Sequence, residues 1–215
     1  MNETIERKVK AFIELNEKGE VYKAGGIACR LVGDIAELSL AESFGQNKEY
    51  IREVGRIDLF YKGISIDIKV NNSQIATLLE NGIIEKVNHG MYYGYIPKFN
   101  PLQDIKKQVR FIKLDDFIDF LISNDLIVRN YTAERMRNRA LQGERRFYDR
   151  LNIRINKLYT SDEVYNSFIN YSCSFDEFIE YAKNRESKQD LIDYRKIERT
   201  LQKYISNKWN SFYLP

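Results

Sequence analysis

Three charged residues in one short stretch have the types and spacing for metal-dependent chemistry. Asp58 is followed nine positions later by Asp67, and Lys69 lies two positions beyond that. If the stretch folds into a hairpin that pairs Asp58 with Asp67, the two carboxylates lie about 5 Å apart, which is destabilising for like charges. A cation between them removes the conflict, and Mg²⁺ is commonly held by one or two carboxylates together with substrate phosphates. The stretch therefore indicates a metal-dependent phosphodiesterase.

A tight β-hairpin is the element that would bring these side chains together. Lys62-Gly63 is a two-residue turn in which glycine supplies the positive φ, so that Tyr61 pairs with Ile64 and Asp58 with Asp67. Lys69 is two residues from Asp67 and so shares its face of the strand. There its amine can orient or deprotonate an attacking water and balance negative charge. The opposite face is predicted to be a continuous apolar surface formed by Ile57, Leu59, Tyr61, Ile64, Ile66, Ile68 and Val70.

Asp58 followed by Asp67-Ile68-Lys69 resembles the PD-(D/E)xK signature of restriction-endonuclease-like nucleases, and the likeness covers roughly residues 25–115. Ile57 replaces the proline of the signature, and the second acid is Asp rather than Glu. The resemblance implies a preceding helix whose acid completes the metal site, and Glu37 is the candidate. It implies Asp58, Asp67 and Glu37 as ligands of Mg²⁺ or Mn²⁺, and these three with Lys69 as the catalytic group. The structural alternative is a hairpin whose charges are solvated on its outer face.

The remaining pattern up to residue 128 predicts an α/β fold, a mixed sheet flanked by helices. Helices are expected at 3–17, 28–44, 74–80 and 115–123, and strands at 83–87, 91–96 and 109–114, with 83–87 and 91–96 forming a pair. Residues 1–128 are predicted to be a nuclease-like core and residues 129–215 a helical region. The family resemblance implies the restriction-endonuclease-like version of this fold.

A row of arginines is the main feature of the helical region. Residues 132–158 have helical periodicity, and a helix of that length spans about 40 Å. Such a row can follow a phosphate backbone, although runs of charge are often only a solvated helix face. The predicted nucleic-acid-binding residues are Arg135, Arg139, Arg146, Arg150 and Arg154.

Composition limits the class of protein but does not identify its partner. The chain of 215 residues is 43% hydrophobic and 30% charged with a net charge of +3, which is typical of a globular protein. No apolar stretch is long enough to cross a membrane, so we expect a cytoplasmic protein that does not bind membranes. Cys29 and Cys173 lack metal-ligand spacing and are expected to be free thiols.

Three hypotheses about function follow. The first is a Mg²⁺-dependent nuclease, an endonuclease acting on DNA rather than RNA, with the C-terminal helices as a nucleic-acid clamp or homodimer interface. The second is a catalytically inactive, nuclease-like protein that binds nucleic acid. The third is a protein-interaction factor, such as a phage or mobile-element inhibitor of a host nuclease.

Overall fold

The computed structural model describes residues 3–46, 58–71, 73, 75–87, 91–129, 151–185 and 192–209. Up to residue 128 the chain contains both helices and strands, and helices follow residue 153. The helices are α1 (Glu3–Glu17), α2 (Val21–Ser43), α3 (Ile105–Gln108), α4 (Leu114–Ser123), α5 (Lys157–Thr160), α6 (Asp162–Tyr171), α7 (Phe175–Asn184) and α8 (Tyr194–Trp209). The strands are β1 (Leu59–Tyr61), β2 (Ile64–Val70), β3 (Ala76–Leu78), β4 (Ile84–Val87), β5 (Tyr92–Ile96), β6 (Arg110–Ile112), β7 (Ile127–Val128) and β8 (Asn152–Ile153).

The predicted hairpin is present with the predicted register. β1 and β2 are antiparallel, with Tyr61 opposite Ile64 and Leu59 opposite Ile66. Lys62 and Gly63 have φ values of 48° and 77°, so both central residues of the turn have positive φ. This is the turn that matches the right-handed twist of paired strands, and it fixes which residues face each other.

The central sheet is mixed, as predicted, but its pairing differs from the expected one. Within the described residues its order is β1-β2-β5-β6, in which β2 is parallel to β5 and β6 is antiparallel to β5. The expected pairing of 83–87 with 91–96 is wrong because β4 pairs with β3 in a separate hairpin. The helix expected at 74–80 is wrong as well, since Ala76–Leu78 is a strand. Thus α/β is confirmed, while the restriction-endonuclease-like fold stays a prediction.

Two hydrophobic cores cover the two faces of the sheet. The isoleucines of β2 lie on the first face with Leu40 of α2 and Phe178 of α7. Tyr93 and Tyr95 of β5 lie on the second face, in a core that α4, α6 and α8 complete. Because side chains alternate along a strand, Ser65, Asp67 and Lys69 of β2 point toward this second face.

The predicted long helix does not extend to residue 158. Asn152–Ile153 is the strand β8, which pairs antiparallel with β7 through Ile127 opposite Ile153. Residues 130–150 lie outside the described part of the chain. The second core contains residues from both sides of the predicted boundary between 128 and 129, and that domain division stays a prediction. No helix among the described residues is long and apolar enough to cross a membrane.

Candidate metal centre

The hairpin brings Asp58, Asp67 and Lys69 together. Asp58 precedes β1 and accepts a hydrogen bond from the backbone N–H of Ile68 at 2.7 Å, which fixes its carboxylate against β2. The Lys69 ammonium donates to Oδ1 of Asp67 at 2.9 Å and to the Ile68 carbonyl at 3.2 Å. Three of the four residues predicted to act in catalysis therefore form one cluster.

The charged face of β2 is buried. Asp67 is 5% exposed and Ser65 is 7% exposed, and the Lys69 side chain is 17% exposed. Ser65 accepts a hydrogen bond from the backbone N–H of Met91 through its Oγ at 2.9 Å. The alternative of a hairpin with solvated outer charges does not describe this protein.

The ionised form of Asp67 is not fully stabilised by its surroundings. Burial, followed by the hydrogen-bonding interaction with Asp58, raises the pKa of Asp67 from 3.8 to about 7, and Lys69 opposes this shift. Its Oδ2 is buried and no donor in the described ranges reaches it. Because two ionised carboxylates can only accept, a hydrogen bond between Asp58 and Asp67 requires a proton. The raised pKa means that Asp67 is protonated more readily at neutral pH than an exposed aspartate is.

Two tyrosines of β5 lie beside the cluster. In the parallel pairing Tyr93 is opposite Asp67 and Tyr95 is opposite Lys69. Burial and the charges of Tyr194 and Asp67 raise the pKa of Tyr93 far above its usual range. The Tyr95 hydroxyl donates to the Asn71 carbonyl at 2.5 Å, next to the end of β2. The alternation of Tyr93 and Tyr95 was visible in the sequence, but their position beside the acids follows only from the parallel pairing.

Glu37 does not join the aspartate pair in this structure. Among the described residues, no group of three His, Cys, Asp or Glu side chains lies close enough together to hold a metal ion. The reason is geometric: α2 packs through Ala36 and Leu40 on the first face of the sheet, whereas Asp67 points to the second. Glu37 is partly buried and has a polar partner, and its role as a metal ligand stays a prediction.

A divalent ion held by the two aspartates fits the residues present. Mg²⁺ usually keeps several waters and takes only one or two protein carboxylates, the other ligands being substrate phosphates. Asp58 and Asp67 supply that number, and the buried Oδ2 of Asp67 has no hydrogen-bond partner within the described part of the chain. The donor set therefore suits Mg²⁺ or Mn²⁺ without a third acid.

Only one of the five predicted nucleic-acid-binding arginines is described. Arg135, Arg139, Arg146 and Arg150 lie outside the described residues. Arg154 is exposed and directly follows β8, with its backbone N–H bonded to the Leu126 carbonyl at 2.9 Å. It is therefore not part of the continuous helix that the arginine row required.

Comparison of the chain with protein-family models, with curated proteins and with solved structures gives no match. The family resemblance of the Asp58–Asp67–Lys69 motif thus has no support from overall similarity. Any functional conclusion must come from the cluster itself and from experiments on it.

Proposed function

We propose that this protein is a nuclease that requires Mg²⁺ or Mn²⁺ and hydrolyses phosphodiester bonds in DNA. The observation that carries the proposal is the buried Asp67, which is bonded to Lys69 at 2.9 Å and lies beside the partly buried Asp58. When both acids are ionised, the three groups carry one net negative charge in a buried place. A divalent cation would neutralise this negative charge, and its remaining positive charge would attract a phosphate.

The residues of the cluster have distinct parts in the proposed reaction. Asp58 and Asp67 hold the ion, and the backbone N–H of Ile68 keeps the Asp58 carboxylate in place. When bound, the ion supplies Lewis acidity, which neutralises charge on the phosphate and makes water more acidic. The Lys69 ammonium is held by Asp67 and the Ile68 carbonyl. From that position it donates a hydrogen bond to a phosphate oxygen and offsets the negative charge that develops there.

A purely structural explanation is weaker because Lys69 offsets only part of the unfavourable burial of Asp67. Replacing buried ionic groups by apolar residues of similar volume is often neutral or stabilising. On the opposite face of the same strand, the side chains of Ile64, Ile66 and Ile68 are apolar and buried. If β2 served only to pack in the core, apolar residues on both of its faces would be sufficient. The presence of the acids is better explained by the binding of a cation.

The test is conversion of supercoiled plasmid to nicked and linear DNA by the purified protein with Mg²⁺, Mn²⁺ or EDTA. We expect cleavage with either metal and none with EDTA. Asp67→Asn and Lys69→Met should lower the rate by at least about 100-fold, because each removes a charge that acts on the transition state. Asp176→Asn and Lys203→Met are matched controls, since both residues are exposed on helices of the second half of the chain, and they should cleave as the wild type does.

A second readout separates metal binding from cleavage. Calorimetric titration with Mn²⁺ in buffers of different ionisation enthalpy should show proton release below about pH 7, because the ion displaces the proton of Asp67. Affinity should rise with pH through that value and should be lost in Asp67→Asn. Absence of both cleavage and metal binding in the wild type would refute the proposal. DNA binding that is insensitive to Asp67→Asn and occurs without cleavage would instead support a nuclease-like protein that only binds nucleic acid.

A further inference from the structure

A cleft of about 340 Å³ lies between the segment that follows β5 and the helices α5 and α6. One wall consists of residues from the segment 97–108, which includes α3, and the other consists of residues from α5 and α6. Its lining contains two lysines and one acid, which are Lys98, Lys107 and Asp162. None of them belongs to the Asp58–Asp67–Lys69 cluster, and we refer to this site as the Lys98–Lys107 cleft.

The wall that carries the lysines is fixed by hydrogen bonds that do not involve the lysine side chains. The Gln108 amide donates to the carbonyls of Asn100 and Gln103, both at 2.9 Å. It also accepts from the Asn100 backbone N–H at 2.7 Å. Asn71, directly after β2, accepts from the backbone N–H of Phe99 at 3.1 Å. The wall is therefore ordered before a ligand arrives, which lowers the entropic cost of binding.

The charge of the cleft favours a doubly charged anion. Lys98 and Lys107 are both exposed, and neither ammonium forms an ion pair within the part of the chain that the structure describes. Two ammonium groups attract a dianion more strongly than they attract a singly charged carboxylate or phosphodiester. A phosphate monoester carries a charge of about −1.5 to −2 at pH 7. A terminal phosphate is therefore the group that matches the two lysines.

The rest of the lining suits a hydroxylated carbon skeleton attached to that phosphate. Leu158 is buried in the second core, and Pro97 is buried as well, so the cleft has an apolar floor. The Asp162 carboxylate is exposed in the first turn of α6, and an ionised carboxylate can only accept hydrogen bonds. It is therefore suited to a hydroxyl group. A volume of about 340 Å³ is near the lower limit of ligand pockets, which restricts the ligand to a small molecule or to the end of a longer one.

We infer that the Lys98–Lys107 cleft binds the terminal phosphate of a phosphorylated sugar. The two lysines contact the phosphate, and the apolar floor contacts the carbon atoms of the sugar. Asp162 accepts a hydrogen bond from a sugar hydroxyl. A free sugar phosphate and the 5′-phosphorylated end of a nucleic-acid strand present this same chemistry. The site goes beyond the proposed nuclease function and does not depend on it.

The experiment is calorimetric titration with ribose 5-phosphate, in a buffer with EDTA so that divalent ions do not contribute. Lys98→Ala and Lys107→Ala should each weaken binding by about tenfold, because each removes a charged hydrogen-bond donor to the phosphate. Lys106→Ala is the matched control and should bind as the wild type does. Lys106 is exposed next to Lys107 on α3, but its ammonium lies over the Phe175 ring, 5.5 Å from the centroid. Ribose without phosphate is the control ligand and should not bind measurably.

Asp162→Ala tests how the sugar phosphate is oriented in the cleft. The substitution removes the acceptor for the sugar hydroxyl, so it should weaken the binding of ribose 5-phosphate by severalfold. It also removes a negative charge, so it should tighten the binding of inorganic phosphate. These opposite changes are required by the inference, and a change of the same sign for both ligands would contradict the assignment of Asp162 to the hydroxyl.

Competition with a 15-residue oligothymidine identifies the source of the phosphate. Displacement of ribose 5-phosphate by the 5′-phosphorylated oligomer, but not by the 5′-hydroxyl oligomer, would support binding of strand ends. Displacement by neither would support binding of free sugar phosphates alone. Equal displacement by both would refute selectivity for a terminal phosphate.

Two further results would overturn the inference. One is a wild type that does not bind ribose 5-phosphate, and the other is retention of wild-type affinity in both Lys98→Ala and Lys107→Ala. Because both lysines are exposed, these variants should keep the fold, and circular dichroism verifies that they do. Neither result depends on whether the protein cleaves DNA, so failure of the cleft and failure of the proposed nuclease function are distinguishable.

Discussion

Asp67→Asn should stabilise the metal-free protein at neutral and alkaline pH. The pKa of Asp67 is raised from 3.8 to about 7, mainly by burial and then by Asp58. Each pKa unit corresponds to about 1.4 kcal/mol of differential stabilisation, so ionised Asp67 destabilises the fold by on the order of 4 kcal/mol above pH 7. Asp67 is only 5% exposed, so solvent screens little of this energy. Asparagine is neutral at every pH, keeps the shape, and can donate to the Asp58 carboxylate.

The pH dependence has a definite sign. A carboxyl whose pKa is raised by folding contributes its full stability below the unfolded value of 3.8, and that contribution is lost as pH rises through about 7. The stability difference between Asp67→Asn and the wild type should therefore grow by about 2 to 3 kcal/mol between pH 5 and pH 8. Urea unfolding at the two pH values, with EDTA in the buffer, measures this difference directly.

Asp104→Asn is the matched control for this experiment. Asp104 caps α3 by accepting from the Lys106 backbone N–H at 3.0 Å, and asparagine caps a helix about equally well. Its effect should be small and the same at both pH values. If Asp67→Asn is no more stable than the wild type at pH 8, or if the difference does not change between pH 5 and pH 8, the description of Asp67 as an uncompensated buried acid is wrong. Added Mg²⁺ should stabilise the wild type but not Asp67→Asn, because only the wild type retains both anionic ligands.

Three further substitutions test the packing that positions the site. Gly82→Ala should lower the free energy of unfolding, measured in urea, by about 3 kcal/mol, because φ is 80° and a Cβ would lie 2.8 Å from the Gln202 backbone N. Gly19→Ala is the control: φ is 71° but no described atom lies close to the new Cβ, so the loss should be only about 1 kcal/mol. Phe178→Ala should lose about 4 kcal/mol, since the ring is fully buried in the first core; retention of the wild-type urea midpoint would contradict that packing. Ser174→Ala should lose about 1 kcal/mol because Ser174 forms the capping box of α7, and thermal unfolding would measure it.

The hairpin could be predicted from sequence because its determinants are local. The turn at Lys62-Gly63 sets the register, and the alternation of isoleucines with polar residues sets the faces. From these two facts the approach of Asp58, Asp67 and Lys69 follows without any knowledge of the rest of the chain. α1 and α4 were predictable for a similar reason, since each carries a clear helical period and begins and ends close to the expected residues.

The partners of the central strands could not be predicted because parallel pairing is non-local. β5 follows β4 by a short connection, and such strands often form a hairpin. In the structure β5 instead lies parallel to β2, with the β3–β4 hairpin in the intervening chain. The same limitation applies to Asn152–Ile153, whose helical period in the sequence is overridden by pairing with β7. In such short elements, tertiary contacts rather than the local sequence preference decide whether the segment is a strand or a helix.

The placement of Glu37 shows why its position relative to the two aspartates could not be predicted from the sequence. A residue beside the apolar stripe of a helix can be predicted to lie near the sheet. The sequence of the stripe does not determine on which face of the sheet the helix packs. Here α2 packs on the face that carries Leu59 and Ile66, whereas Asp67 points to the other face. The sequence therefore predicted the approach of Asp58 and Asp67 within one hairpin, but it could not place Glu37, which lies on a separate element, relative to them.

The two faces of β2 are both buried, but one carries apolar side chains and the other carries polar and charged ones. Ile64, Ile66 and Ile68 gain stability from leaving water, while the intervening Ser65 and Asp67 are buried almost as deeply and gain none of it. An isolated buried acid is strongly unfavourable, and Lys69 offsets only part of that energy because Asp67 still has a raised pKa. Stability alone would favour apolar residues at these positions. The proposed binding of a divalent cation would account for negative charge at this point of the sheet, which packing alone does not explain.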